Sequence, residues 1–269
     1  NNGSFGSAGS FHAPSRFGLR GTEDLGGGLK ANFNLESGDN DLAVGSSTVA
    51  FSRAAWVGLS GNFGAIRVGR ISSVGTQATA AFDFNGISTT SSSRANNTGL
   101  NPVTWYGSSR RSNQFQYDTP AFGGLTAGLG VVLSGDNGGK SYTQARVNYA
   151  NGPLAIALVG ESAHSAANRT AWGLHGSYNL GVVKLGLGYD VAETTALGKG
   201  VTLGVTAPIG AANIGAQYTK NSTTDDSALE LFANYAFSKR TQVYFDTVRV
   251  NKNVGADVTR WGVGIQHNF

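Results

Sequence analysis

The stretch Arg260-Trp-Gly-Val-Gly-Ile-Gln-His-Asn-Phe269 decides the fold because apolar side chains alternate with polar or very small ones. Trp261, Val263, Ile265 and Phe269 share one parity, and Arg, Gly, Gln and Asn occupy the other. Successive side chains of a β-strand point to opposite faces, so this stretch predicts a strand with one apolar face. A soluble antiparallel sheet shows the same alternation. The assignment therefore depends on whether the pattern repeats along the chain.

The composition of the 269-residue chain limits the possible classes of protein. Charged residues make up 13%, against roughly 25% in soluble domains, and there are 40 glycines and no cysteine. No apolar run reaches the roughly 20 residues of a membrane-spanning helix, which excludes a helical membrane protein. Without cysteine there is no disulfide and no thiolate metal site. The net charge of +4 comes from dispersed lysines and arginines, which does not indicate nucleic-acid binding.

The alternating pattern repeats fifteen times. The predicted strands are 15–23, 28–36, 48–61, 64–71, 111–119, 124–134, 141–150, 153–162, 169–179, 182–192, 200–207, 211–220, 227–237, 240–250 and 257–269. In these strands the apolar residues keep almost entirely to one parity and the charged residues to the other, with Phe232 as an exception. This arrangement is typical of a transmembrane β-barrel, whose outer face contacts lipid and whose inner face is polar.

The connections between the strands also alternate, between tight turns and longer polar loops. Asn151-Gly152 and Ile209-Gly210 are examples of tight turns, for which Gly and Asn supply positive φ angles. The loops 37–47 and 193–200 are examples of the longer kind. Short turns at one end and long loops at the other are typical of an outer-membrane barrel. A soluble, Gly-rich all-β protein is the alternative. Such a protein requires neither charged residues confined to one strand parity nor an alternation of short turns and long loops.

The number of predicted strands is odd, whereas bacterial single-chain barrels have even numbers. Residues 1–14 are predicted to form a flexible loop. We therefore expect one strand before residue 1 to be missing from this chain, because an open edge in lipid would leave backbone groups unsatisfied. On this interpretation residues 1–269 form a single barrel domain that ends at Phe269.

Several stretches resemble the general diffusion porins of Gram-negative, especially β-proteobacterial, outer membranes. Ser15-Arg-Phe-Gly-Leu-Arg-Gly-Thr-Glu-Asp-Leu-Gly-Gly-Gly-Leu-Lys30 resembles their second and third strands. Further matches are Ala55-Trp-Val-Gly-Leu-Ser-Gly-Asn-Phe-Gly64, Val68-Gly-Arg70, Tyr117-Asp-Thr-Pro-Ala-Phe-Gly-Gly124 and the terminal Phe269. The resemblance implies an outer-membrane, sixteen-strand antiparallel barrel, usually a homotrimer, with loop 3 folded into the pore. It implies contact with membrane lipids and lipopolysaccharide, passive diffusion of small hydrophilic solutes and anions, and no cofactor.

Residues 72–110 form the longest connection and are the predicted constriction loop. Asp83 is the only acid between residues 72 and 110, so it is the predicted carboxylate of this loop. Selectivity in such a channel comes from charged side chains at the narrowest point. Sequence parity and the resemblance together then identify the basic residues that would face the loop.

Parity directs Arg16 and Arg20 into the lumen, because they alternate with Phe17 and Leu19. The resemblance places Arg16 and Arg70 in a basic cluster opposite loop 3, with a third arginine just before the sixth strand of the family barrel. Parity with Gln114, Gln116 and Asp118 selects Arg110 over Arg111 for that third position. Arg70 shares parity with lipid-facing residues, so it needs a bulge or the end of its strand to turn inward. A lumen basic path is predicted at Arg20, Lys30, Arg146 and Arg260.

The predicted function is therefore a channel with moderate anion selectivity. Two other functions for an outer-membrane barrel are a receptor or adhesin, and an enzyme on the barrel rim. A receptor would need long distinctive loops, and an enzyme would need a nucleophile, a histidine and an orienting group. His175 and Ser177 share a face of one strand, but no nucleophile signature accompanies them. The four histidines lack metal-ligand spacing, so no metal site is expected.

Overall fold

The structure of the protein is a computed structural model that describes residues 12, 15–38, 50–86, 109–135, 139–164, 169–191 and 198–269. Fifteen strands dominate it, and one short helix and one 3-10 turn follow the fourth strand. The strands are β1 (Phe17–Gly26), β2 (Leu29–Ser37), β3 (Ala54–Gly61), β4 (Gly64–Ser72), β5 (Arg110–Asp118), β6 (Leu125–Val132), β7 (Ser141–Asn151), β8 (Leu154–His164), β9 (Arg169–Asn179), β10 (Lys184–Val191), β11 (Lys199–Ile209), β12 (Ala212–Asn221), β13 (Ser227–Ala236), β14 (Thr241–Asn251) and β15 (Val258–His267). The helix α1 is Val74–Thr79, and the 3-10 turn is Ala80–Phe82.

All fifteen predicted strands are present, in one sheet whose strand order follows the chain. Every neighbouring pair is antiparallel. The main difference from the predicted bounds is β3, which begins at Ala54 and not at residue 48. Residues 50–53 precede it without strand pairing, and 48–49 lie outside the described residues.

The two faces of the sheet differ sharply in chemistry. Leu129, Leu158 and Leu174 on one face are about half exposed, as are many other large apolar side chains of the same parity. The opposite face holds polar side chains that are fully or almost fully buried, including Gln144 and Glu161. This is the reverse of a water-soluble sheet, and it fits an outer face that lipid covers. The predicted separation of the two parities is thus confirmed.

The helix and the 3-10 turn lie against the polar face and not on the outside of the sheet. Helix α1 packs against β7 and β8, and the 3-10 turn packs against β9 and β10. Farther along, the amide side chain of Asn85 bonds to Glu230 on β13 and to Asp246 on β14. Strands that are far apart in the sheet therefore contact one connecting segment, so the sheet curls around residues 74–86.

Phe232, the exception to the alternation, lies on the concave polar face and is only 3% exposed. Its ring fills the space over Gly215 of the neighbouring strand, where any Cβ would collide with it. None of the helical segments among the described residues has the length and apolar character needed to span a membrane.

Candidate constriction site

Four arginines converge on a cavity of about 350 Å³ on the concave side of β2–β4. They are Arg16, Arg53, Arg67 and Arg110, and Glu36 is the single carboxylate among the described residues that line this cavity. Gln77 of α1 contributes to the opposite wall. We call these four arginines the basic cluster. The sheet curls around residues 74–86, which belong to the predicted constriction loop and which we call the constriction segment. Arginine stays protonated at any relevant pH, so the cluster places fixed positive charge beside this segment.

Glu36 organises one half of the basic cluster. Its Oε1 atom lies 2.5 Å from Nε of Arg53 and 3.8 Å from an Nη of Arg16. Arg16 keeps 44% of its side chain exposed, whereas Arg53 is mostly covered. The pairing thus fixes Arg53, while the side chain of Arg16 remains partly exposed.

Arg67 belongs to the other half of the cluster. Its guanidinium lies 5.6 Å from the ring centroid of Trp56 on the neighbouring strand and also pairs with Asp118. The alternation with Ile66 and Val68 already gives Arg67 the inward parity, so the sequence carried this signal. The predicted strand 48–61 gave Arg53 the outward parity of Val57. The structure starts β3 at Ala54, so Arg53 precedes the strand, and only the tertiary structure brings it to the cavity.

Arg70 does not line the cavity. It pairs with Ala55 in the register that also holds Val57 and Val68, which is the outer-face parity. Its Nε atom donates to the carbonyl of Ser52 and its Nη1 atom to the hydroxyl of Ser112. The inward turn expected for Arg70 is therefore absent from the structure, and Arg67 and Arg53 line the cavity instead of Arg70.

A bulge in β5 changes the parity on which the choice between Arg110 and Arg111 depended. The pairing with β4 shifts between Gly69 and Ile71, and Asn113 adopts a φ of 51°. Asn is among the few residues that tolerate this conformation. The extra residue turns Arg111 to the concave face as well, so counting parity straight through the strand missed it.

Arg111 forms a buried ion pair and is not open to the cavity. Its guanidinium donates to both carboxylate oxygens of Glu161, at 2.9 and 3.0 Å, and lies 3.7 Å from the ring centroid of Tyr142. Gln144 also donates to Glu161. This pair stabilises the wall beside α1, while Arg110, which is in register with Ser72 of β4, lines the cavity.

Asp83 lies on the constriction segment, but its side chain is buried against the wall opposite the basic cluster. It is 6% exposed, and its Oδ1 atom accepts from Nε2 of Gln217 on β12 and from the backbone amide of Asn85. It therefore holds the segment against the sheet. The buried acids Glu230 and Asp246 lie nearby, so carboxylates concentrate on the β12–β14 wall.

The predicted lumen path is divided among separate strands. Arg20 is exposed on β1 opposite Asn34, and Lys30 is exposed on β2 opposite Ser60. Arg146 on β7 is mostly covered and bonds to Asp118 at 2.7 Å. Arg260 is partly buried on β15, at the other end of the sheet order from β1.

Two predicted segments lie largely outside the described residues. Of the predicted flexible loop 1–14 only His12 is described, and its Nδ1 atom lies 2.8 Å from Asp246 while its ring stacks on Tyr244. Of the predicted loop 72–110, residues 87–108 lie outside the description.

His175 is fully buried, and its Nε2 atom lies 3.1 Å from Oδ1 of Asp190. Its ring packs at 5.6 Å from that of Phe82 in the 3-10 turn. The histidine thus contributes to the wall under the constriction segment. No cluster of three metal-ligating side chains occurs in the part of the chain that the structure describes.

A curled antiparallel sheet with an apolar outer face, a charged inner face and an inward segment defines the class of outer-membrane channels. Comparison with known proteins gives the particular family. Residues 1–256 match the Gram-negative porin family, and the chain belongs to it.

Among its relatives is the outer membrane porin protein 32 of Delftia acidovorans, which is 34% identical over 86% of this chain and 72% of that protein. An outer membrane porin protein of Bordetella pertussis is 30% identical over all of this chain and 86% of that protein. A solved structure described as an anion-selective porin from Comamonas acidovorans superposes with a TM-score of 0.75 at 29% identity, covering 97% of this chain and 91% of that one. The chain is a passive diffusion channel of the bacterial outer membrane, and not an enzyme.

Proposed function

We propose that this channel conducts small hydrophilic solutes and ions with a moderate preference for anions, and that the basic cluster creates the preference. The observation that carries the proposal is the convergence of four arginines with one carboxylate on a single cavity beside α1. Positive charge in a neck with low-dielectric walls concentrates anions and lowers their entry barrier.

The distribution of charge across the concave face supports the same direction. The basic cluster comes from β4, β5 and the segments that flank β1 and β3. The acids Asp83, Glu230 and Asp246 are at most 6% exposed and bond to Asn85 or Gln217. The arginines are the more accessible charges, so a hydrated ion meets positive charge first.

Reversal potentials in planar bilayers under a KCl gradient test the proposal. Replacing Arg16 and Arg110 together with glutamine should lower the chloride-to-potassium permeability ratio. Arg249→Gln is the matched control, because Arg249 is 65% exposed and pairs with Asp257 at the far end of β14. An unchanged reversal potential in the double variant would contradict the proposal that the basic cluster creates the anion preference.

We also propose that the channel assembles as a homotrimer among outer-membrane lipids and lipopolysaccharide. An apolar groove of about 640 Å³ crosses the outer face of β1–β4, with Phe33, Val57 and Ile66 among its lining residues. A second copy of the chain would cover these side chains. Mass measurement of the detergent-solubilised protein tests this proposal, and a monomeric mass at high protein concentration would contradict it.

A further inference from the structure

Asp118, the last residue of β5, lies between two arginines that come from different strands. Its Oδ2 atom bonds to Arg67 of β4, and its Oδ1 atom lies 2.7 Å from an Nη of Arg146 on β7. Gln116 adds hydrogen bonds to both carboxylate oxygens, at 3.1 and 2.8 Å. The Asp118 side chain is 13% exposed, and three donor side chains hold its carboxylate in one position.

The bond to Arg146 crosses an intervening strand, and a glycine makes this crossing possible. Gly128 of β6 is in register with Asp118 on one side and with Arg146 on the other. A Cβ atom at residue 128 would lie 2.7 Å from both Asp118 Oδ1 and Arg146 Nε. The arginine–carboxylate–arginine unit therefore depends on the absence of a side chain at residue 128 of β6. It is not a chance contact of surface side chains.

The unit connects the basic cluster to the short-turn end of the barrel. Arg67 lines the cavity and pairs with Asp118 at the same time. Arg110 and Asp118 are at opposite ends of β5, in register with Ser72 and Ala65 of β4, and the seven steps of β4 at 3.3 Å per residue separate them by about 23 Å. Two guanidinium groups share one carboxylate here, so positive charge continues beyond the cavity but is reduced by Asp118.

We propose that Asp118 is a specificity-determining residue that sets how much of the charge of Arg67 and Arg146 acts on permeating ions. This inference rests on the proposed anion preference and adds a residue that limits it. A carboxylate in contact with both arginines cancels about half of their combined field, because the opposite charges lie closer to each other than to an ion in the lumen.

The test is the chloride-to-potassium permeability ratio of Asp118→Asn in planar bilayers under a KCl gradient. Asparagine keeps the shape and one acceptor oxygen but removes the charge, so the ratio should rise, by about twofold. Asp118→Glu, which keeps the charge, should stay close to the wild-type ratio. An unchanged or lower ratio in Asp118→Asn overturns the inference, since it would mean that Asp118 only positions the two arginines.

Heat-dependent migration in detergent gels reports whether Asp118→Asn forms a barrel. A second variant keeps the inference testable if it does not. Arg146→Gln should lower the ratio, because it leaves Asp118 to neutralise Arg67 alone. Asp225→Asn is the control for the loss of a negative charge. Asp225 lies on the connection between β12 and β13, is 69% exposed and pairs with Lys220. This variant should not change the ratio.

The two proposals fail in different ways. A wild-type channel without anion preference contradicts the proposed function. A wild-type channel that prefers chloride and loses this preference in the Arg16 and Arg110 double variant supports the proposed function. If the same channel shows no response to Asp118→Asn and Arg146→Gln, only the inference about Asp118 is wrong.

Discussion

The side-chain amide of Asn85 donates a hydrogen bond of 2.7 Å to Oε1 of Glu230, which lies 145 residues farther along the chain. The same amide lies 3.2 Å from Oδ1 of Asp246, so one side chain joins the constriction segment to β13 and β14. The acceptors are buried and ionisable, and bonds to charged groups are stronger than those between neutral groups. This contact is therefore one of those that hold the segment across the lumen.

Replacing Asn85 with leucine should release the segment from β13 and β14, because leucine has no donor for the two carboxylates. We expect single-channel conductance to become larger or to fluctuate more than in the wild type. Asn253→Leu is a control, because Asn253 lies on the connection between β14 and β15 and donates to Asp226 through its backbone amide, which leucine keeps. A conductance trace identical to the wild type would show that Asn85 does not hold the segment.

Phe84 gives a second, steric way to test the anchoring of the segment. Its ring lies over Gly186 and Gly204, where a Cβ atom would come within 2.6 and 2.9 Å of ring atoms. Gly186→Ala should therefore push the ring and its segment into the lumen and reduce conductance.

A matched glycine provides the control for this steric effect. A Cβ atom at Gly176 would meet only a carbonyl oxygen at 3.8 Å, which is an ordinary contact. Gly176→Ala should leave conductance unchanged, and Phe84→Ala should restore conductance in the Gly186→Ala channel. Equal conductance in the Gly186 and Gly176 variants would contradict the steric explanation.

The buried pair of Arg111 and Glu161 predicts a large asymmetry in stability. Glu161→Leu leaves the guanidinium of Arg111, whose side chain is 9% exposed, without its counter-charge. Loss of one partner of a buried pair costs about 3–5 kcal/mol. Urea unfolding of the barrel in lipid vesicles measures this change in the free energy of unfolding.

The double variant Arg111→Leu and Glu161→Leu should be more stable than Glu161→Leu alone, because no uncompensated charge remains. The rim pair of Arg249 and Asp257, at 3.5 Å and well exposed, offers the comparison. Its disruption should cost no more than about 1 kcal/mol. Equal losses at the two pairs would contradict the assigned burial of Arg111.

The apolar outer face predicts a depth-dependent cost for charge. Leu174 lies in the middle of β9 and is 47% exposed on this face. Leu174→Arg should reduce the free energy of unfolding in lipid vesicles by about 2–4 kcal/mol. Val254→Arg, between β14 and β15, should have little effect because Val254 is 84% exposed beyond the strands. A small loss in the free energy of unfolding for Leu174→Arg would contradict the assignment of Leu174 to the lipid-facing surface.

The alternation in the sequence was sufficient for the strands and for many of the inward side chains. Gln144, Glu161 and His175 lie on the concave face that their parity predicts. Arg67 also follows its parity, and the resemblance led instead to Arg70, which the structure leaves on the outer register. Local alternation was thus a better guide to the direction of these two arginines than similarity to a family pattern.

The sequence by itself determined the strand count and the two chemically distinct faces, because strand periodicity is a property of neighbouring residues. Only the tertiary structure decided which charges meet. Arg53 precedes β3 although the predicted strand included it, Arg111 turns inward through a bulge, and Asp83 faces Gln217 across 134 residues of chain. These contacts depend on sheet curvature and on the path of the inward segment, and neither is encoded in the spacing of adjacent residues.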